Sequence, residues 1–96
     1  MRARKIFCVI SYDIATAKRR REVVKVISPY GIRVNLSVFE CMLTAAQLRD
    51  VVSKLHSLVK KGKDQIAIYR ICLDCFGKAE YIPEVKESAK IVRVLD

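Results

Sequence analysis

An α+β sandwich, built as strand-helix-strand-strand-helix-strand with one further strand at the C-terminal end, is the fold class this chain predicts. Three features of the pattern lead to it. A continuous apolar run, Ile6 to Ile10, lacks helical spacing and leads into Tyr12-Asp13-Ile14. Two later stretches repeat apolar residues on one helical face, and the segments beside them alternate as half-buried strands do. Ninety-six residues make one domain spanning 1–96, and a domain this small buries a modest core unless a second copy covers part of it. A homodimer is therefore expected.

The first strand covers residues 5–13, Lys-Ile-Phe-Cys-Val-Ile-Ser-Tyr-Asp, and its apolar density makes it central, with Asp13 at its C-terminal end. A helix over 16–28 follows, with Thr16 as N-cap, Val23, Val24, Ile27 and the stem of Arg20 at helical spacing, and Ser28-Pro29-Tyr30-Gly31 as its stop. Its polar flank carries Lys18, Arg19, Arg21, Glu22 and Lys25. Cations in a first turn oppose the helix dipole at roughly 0.3–1 kcal/mol each, so something other than helix stability favours them there. Residues 32–43 form two short strands reversing near Leu36-Ser37, or else one long bent strand.

Thr44-Ala45-Ala46-Gln47 is a capping box, and Leu48, Val51, Val52, Leu55, Leu58 and Val59 then share one helical face to about Lys61, with Gly62 as the C-cap. Ile66, Ile68, Tyr69, Ile71 and Leu73 mark a strand from Gln65 to Leu73. Lys90 to Leu95 forms a last short strand after a polar connection that contains proline. This order is that of the ferredoxin-like sandwich, two helices on one face of an antiparallel sheet. A second protomer is the simplest cover for the other face, and the terminal strand would reach the partner's sheet edge.

Nineteen Lys and Arg against ten Asp and Glu leave a net charge of +9, which favours a polyanion such as nucleic acid over a merely soluble basic surface. No apolar stretch approaches the ~20 residues that span a bilayer, so no membrane partner and a cytoplasmic location are expected. Cys8 and Cys41 sit inside apolar strand patterns as small core residues. Cys72-Leu73-Asp74-Cys75 has the spacing of half a zinc site or a redox pair; with only one half present, two thiols near a strand end is the preferred assignment. His56 lies on the second helix, remote from the cysteines in the pattern.

The strand ending in Tyr12-Asp13-Ile14, the basic helix start Arg19 to Arg21, and the run Gly31-Ile32-Arg33-Val34-Asn35-Leu36-Ser37-Val38-Phe39-Glu40 ahead of the Thr44 helix resemble the small CRISPR-associated endonuclease family, Cas-two. The likeness covers roughly residues 5–75, and Asn35 departs from it by replacing one neutral amide, Gln, with another. It implies a homodimeric ferredoxin-like subunit of CRISPR adaptation, partner of the CRISPR integrase, that holds duplex DNA. For several family members it also implies metal-dependent cleavage of RNA or double-stranded DNA. Carried across, the metal-binding aspartate corresponds to Asp13, its tyrosine neighbour to Tyr12, and the functional arginines and phenylalanine to Arg20 or Arg21, Arg33 and Phe39.

Phosphodiester hydrolysis needs an activated water and relief of negative charge, which Mg2+ supplies. One Asp is a poor Mg2+ site, whereas two copies of Asp13 facing each other across a dimer axis would share one ion. The alternative for Asp13 is a cap on the loop into the first helix. Catalytic roles are thus expected at Asp13, Tyr12 and Arg33, with phosphate contacts from Lys18, Arg19, Arg20, Arg21 and Arg33. For Lys18 and Arg19 a solvated helix face is an equal alternative, Phe39 is expected in the core, and Ser37 is either a phosphate donor or, equally, a tight-turn residue. The rivals are a non-catalytic DNA scaffold and a toxin-like endoribonuclease. An RNA-binding module is disfavoured, since the central strands lack paired aromatics for base stacking.

Overall fold

A computed structural model of the chain describes residues 4–83. It contains β1 (Lys5–Asp13), α1 (Ala17–Ile27), a 3-10 turn (Ser28–Tyr30), β2 (Gly31–Asn35), β3 (Val38–Thr44), α2 (Ala45–Leu58), β4 (Gln65–Ile71) and a short α3 (Leu73–Gly77). The sheet order is β2-β3-β1-β4 with every neighbouring pair antiparallel, the ferredoxin-like arrangement expected from the pattern. The strand expected over 90–95 lies outside the described residues.

Strand alternation divides the sheet into two faces. Cys8, Ile10 and Tyr12 of β1 join Phe39, Cys41 and Leu43 of β3 beneath Val23 and Ile27 of α1 and Leu48, Val51 and Leu55 of α2. Phe39 and both strand cysteines are therefore core residues. Each fully buried aliphatic side chain contributes roughly 1.5–3 kcal/mol, more than any one misplaced cation on α1 costs.

Local chemistry sets the boundaries. Thr16 caps α1 by accepting from the Arg19 N–H at 3.3 Å. At α2 the capping box closes both ways: Gln47 N–H donates to Thr44 Oγ1 at 3.2 Å, and Thr44 N–H to Gln47 Oε1 at 2.8 Å. Leu36 and Ser37 form the two-residue reversal between β2 and β3, so there are two strands and not one bent strand. Gly31 opens β2 opposite Cys41, where an added Cβ would collide with the Glu40 carbonyl and lie 2.7 Å from Cys41 Sγ.

Two boundaries differ from the sequence expectation. Helix α2 stops at Leu58 and not near Lys61, because Val59 turns extended and packs its side chain on the core. Gly62, at φ +83°, serves the tight turn from Lys60 to Asp64 and not a helix cap. Strand β4 ends at Ile71, where Cys72 caps the unforeseen α3 and places Leu73 in the helix.

That short helix swings Phe76 under the second face of the sheet, its ring stacked on Phe7 with centroids 3.5 Å apart. Val9, Ile32, Met42 and Ile71 pack around the pair. Glu40 lies on this outer face too, its carboxylate accepting from the Tyr81 hydroxyl at 2.8 and 2.9 Å. Part of the cover on this face thus comes from the chain itself, although Tyr69 on the same side is still 59% exposed.

Candidate nucleic-acid interface

Asp13 is the last residue of β1, opposite Gln65 on β4 and in the outer-face register with Phe7, Val9 and Ser11. Its exposed carboxylate has no hydrogen-bond or ion-pair partner among the described residues. The capping role left open for it is filled by another residue: the Ala15 N–H donates to Asp64 Oδ1 at 2.8 Å. Among the described residues that loop is thus held without the Asp13 carboxylate.

Asp64 is the organiser of this end of the molecule, and the sequence reading did not single it out. Besides Ala15 it accepts from Arg19 Nε at 2.7 Å and Nη2 at 3.1 Å, and from the Lys60 N–H at 2.9 Å. The Arg19 guanidinium and then the Ala15 N–H hold its carboxyl well below the usual carboxylate range, and the same contact raises Arg19 above its ordinary value. No local signal announces the role, because the donors on Ala15 and Arg19 lie 49 and 45 residues away.

The remaining candidates separate by what they touch. Arg19 is committed to Asp64, and Arg20 folds back so that Nη2 donates to the Ile14 carbonyl at 3.1 Å, bracing the loop after Asp13. Lys18 and Arg21 are exposed on α1 and have no partner among the described residues. Arg33 lies exposed on the edge strand β2 with its guanidinium 5.9 Å from the centre of the Phe39 ring. Tyr12 is 3% exposed and points inward, its hydroxyl donating to the Leu36 carbonyl at 3.0 Å. The Tyr12 N–H meanwhile donates to the Ser37 carbonyl at 3.0 Å, so β1 holds the hairpin tip from both its backbone and its side chain.

The bonds to Asp64 also bring the turn containing Lys60, Lys61 and Lys63 against the start of α1. These exposed lysines extend the cationic rim of Lys18 and Arg21. The Asp13 end of the sheet therefore combines a carboxylate without a partner among the described residues with cations from helix α1 and from the turn before β4. Among the described residues no three His, Cys, Asp or Glu side chains gather to hold a metal ion. The donor chemistry at Asp13 still fits Mg2+, a hard cation that takes one or two carboxylates and completes its shell with water and phosphate oxygens.

A four-stranded antiparallel sheet backed by two helices, with an exposed carboxylate and a cationic rim at one end, defines a small ferredoxin-like protein built around the end of its central strand. The family profile described as CRISPR associated protein Cas2 matches residues 6–79, and the chain belongs to that family. It is 45% identical over 67 residues to CRISPR-associated endoribonuclease Cas2 3 of Chloroflexus aurantiacus, covering 70% of this chain and 72% of that one. With CRISPR-associated endonuclease Cas2 of Halalkalibacterium halodurans it shares 39% identity over 79 residues, 77% of this chain and 82% of the other. The crystal structure of Streptococcus pyogenes Cas2 superposes with a TM-score of 0.71 at 31% identity, over 78% of this chain and 96% of that one. The fold recurs at 24% identity and a TM-score of 0.68 in a chain of a partial Cas6-RT-Cas1–Cas2 complex, covering 81% of this chain and 91% of that one.

Proposed function

We propose that this chain is a subunit of CRISPR adaptation that works as a homodimer, holds duplex DNA beside the CRISPR integrase, and cuts phosphodiesters of RNA or DNA with Mg2+ at paired Asp13 carboxylates. The observation that supports the reading is the freedom of Asp13: Asp64 satisfies the neighbouring loop, and the strand-end carboxylate has no partner among the described residues. The integrase partnership draws on the complex containing Cas1 and Cas2, and the nuclease activity on relatives named endoribonuclease or endonuclease.

Asp13 shares the outer face with half-buried Val9 and exposed Tyr69. A second copy packed there would cover those side chains and bring the two Asp13 residues together. Mg2+ bound between them would activate water and relieve charge on the phosphate. Lys18, Arg21 and the Lys60–Lys63 turn contribute phosphate contacts that are salt-sensitive and indifferent to base sequence, which suits fragments of any sequence. Arg33 lies on the edge strand as a further phosphate donor, while Arg19 and Arg20 hold the loop that presents Asp13. Tyr12 acts from within, by fixing the hairpin tip.

The test is cleavage of labelled duplex DNA and single-stranded RNA, with Mg2+ or EDTA, by wild type and Asp13→Asn. Because Asp13 has no bond to lose among the described residues, the variant keeps its melting temperature and loses at least about 100-fold in rate. Cleavage that persists in Asp13→Asn, or in EDTA, would overturn the nuclease centre. A second reading, a DNA-holding scaffold without chemistry, is favoured by the lack, among the described residues, of any cluster of three potential metal ligands. Salt-sensitive binding with no Asp13-dependent cleavage on either substrate would support it.

A further inference from the structure

The Cys72-Leu73-Asp74-Cys75 turn takes no part in the interface above, and its geometry has a chemistry of its own. Cys72 caps α3 with Sγ accepting from the Cys75 N–H at 3.2 Å, so the two thiols stand on one helical turn, and both are exposed. The turn is anchored on either side. Phe76 N–H donates to the Cys72 carbonyl at 2.9 Å, and the Phe76 ring is buried against Phe7. A bridge between residues three apart on such a turn needs side-chain rotation and little backbone movement.

The two thiols are also unequal. A hydrogen bond from the Cys75 side chain, reinforced by the Cys75 N–H, lowers Cys72 below the ordinary thiol value, while the same partnership raises Cys75. An exposed thiol stabilised as thiolate beside a second thiol is the arrangement that supports disulfide exchange. Cys8 and Cys41 make the instructive contrast: they face each other across β1 and β3 but are fully buried, where no oxidant reaches them. Zinc would need two more ligands, and the described residues bring none to this turn.

We propose that Cys72 and Cys75 form a reversible dithiol-disulfide site that exchanges with low-molecular-weight disulfides of the glutathione class. The Cys72 thiolate attacks one sulfur of the external disulfide; that S–S bond breaks, and one thiolate leaves to take up a proton. Cys75 then loses its proton to solvent and attacks the Cys72 sulfur, closing the intramolecular bond and expelling the second external thiol. Two protein thiols lose two electrons in total, and one external disulfide becomes two thiols. The site lies between β4 and the helix that covers the outer face.

The whole protein is equilibrated with a series of reduced and oxidised glutathione mixtures, quenched in acid, alkylated and mapped by peptide mass spectrometry. An intramolecular Cys72–Cys75 disulfide forms with a single midpoint and is reversed by dithiothreitol, while Cys8 and Cys41 stay as thiols. At neutral pH Cys72 alkylates several-fold faster than Cys75, and Cys75→Ser arrests as a glutathione adduct on Cys72. The proposal is overturned if both residues stay as thiols or adducts throughout the series, or if bridges form only between chains. Retention of zinc by the purified protein, lost in Cys72→Ser, overturns it equally.

Discussion

Arg19 and Asp64 are joined by a contact of 2.7 Å between Nε and Oδ2, with 45 residues of chain between them. The pair resolves an oddity of the sequence, the cations placed in the first turn of α1 where the helix dipole opposes them. For Arg19 the opposing field is offset by a carboxylate that also accepts from two backbone N–H groups, those of Ala15 and Lys60. One side chain thus ties the loop after Asp13, the start of α1 and the turn into β4 into a single unit.

Asp64→Asn should lower the melting temperature and loosen that end of the sheet. The folded carboxyl titrates well below its unfolded value, so the stability it confers is complete above the unfolded pKa of about 4 and is lost as pH falls below that value. Melting curves of wild type and variant should therefore differ by a constant amount near neutrality and converge in acid. A gap that widens on acidification would contradict the assignment.

Tyr12→Phe removes the hydroxyl bond to the Leu36 carbonyl and nothing else from the buried ring. Urea titration should record a loss of roughly 0.5–1.5 kcal/mol, the usual worth of such a bond. Cleavage per folded molecule should change no more than about twofold, far from the effect of removing a group that touches the substrate.

Gly31→Ala would drive its new methyl group into the Glu40 carbonyl and toward Cys41 Sγ. Backbone cannot yield there without disturbing the pairing of β2 with β3, so a cost of about 1–3 kcal/mol is expected, as for other overpacked sites. Amide exchange should place the damage in Ile32 to Asn35 and at their partners on β3.

Replacing Lys60, Lys61 and Lys63 together by Ala tests the cationic rim. The lysine side chains are exposed, so the fold should persist. The slope of log binding constant against log salt on duplex DNA should fall by up to about 0.9 for each phosphate contact removed. An unchanged slope would place the nucleic acid on another face.

Patterns confined to short stretches were legible without coordinates, because hydrophobic spacing and caps act within a turn or a strand. The apolar run into Asp13, the Thr16 cap, the Thr44–Gln47 box and the Leu36-Ser37 reversal each depend on residues a few positions apart, and each stands where the pattern put it. The element order then left few topologies open, which is why the ferredoxin-like sheet and the core roles of Phe39, Cys8 and Cys41 followed. Chain closure was needed for the rest. Which arginines are free and which are braces depends on Asp64 and the Ile14 carbonyl, and the inward turn of Tyr12 depends on where the hairpin tip lands. Helix α3 is five residues long, too short for a periodic signal, and it holds its place through Phe76 on Phe7, a contact made across the sheet. Local chemistry thus named the elements, whereas the partners of individual polar groups came from segments far apart in sequence that only the closed sheet brings within hydrogen-bonding reach.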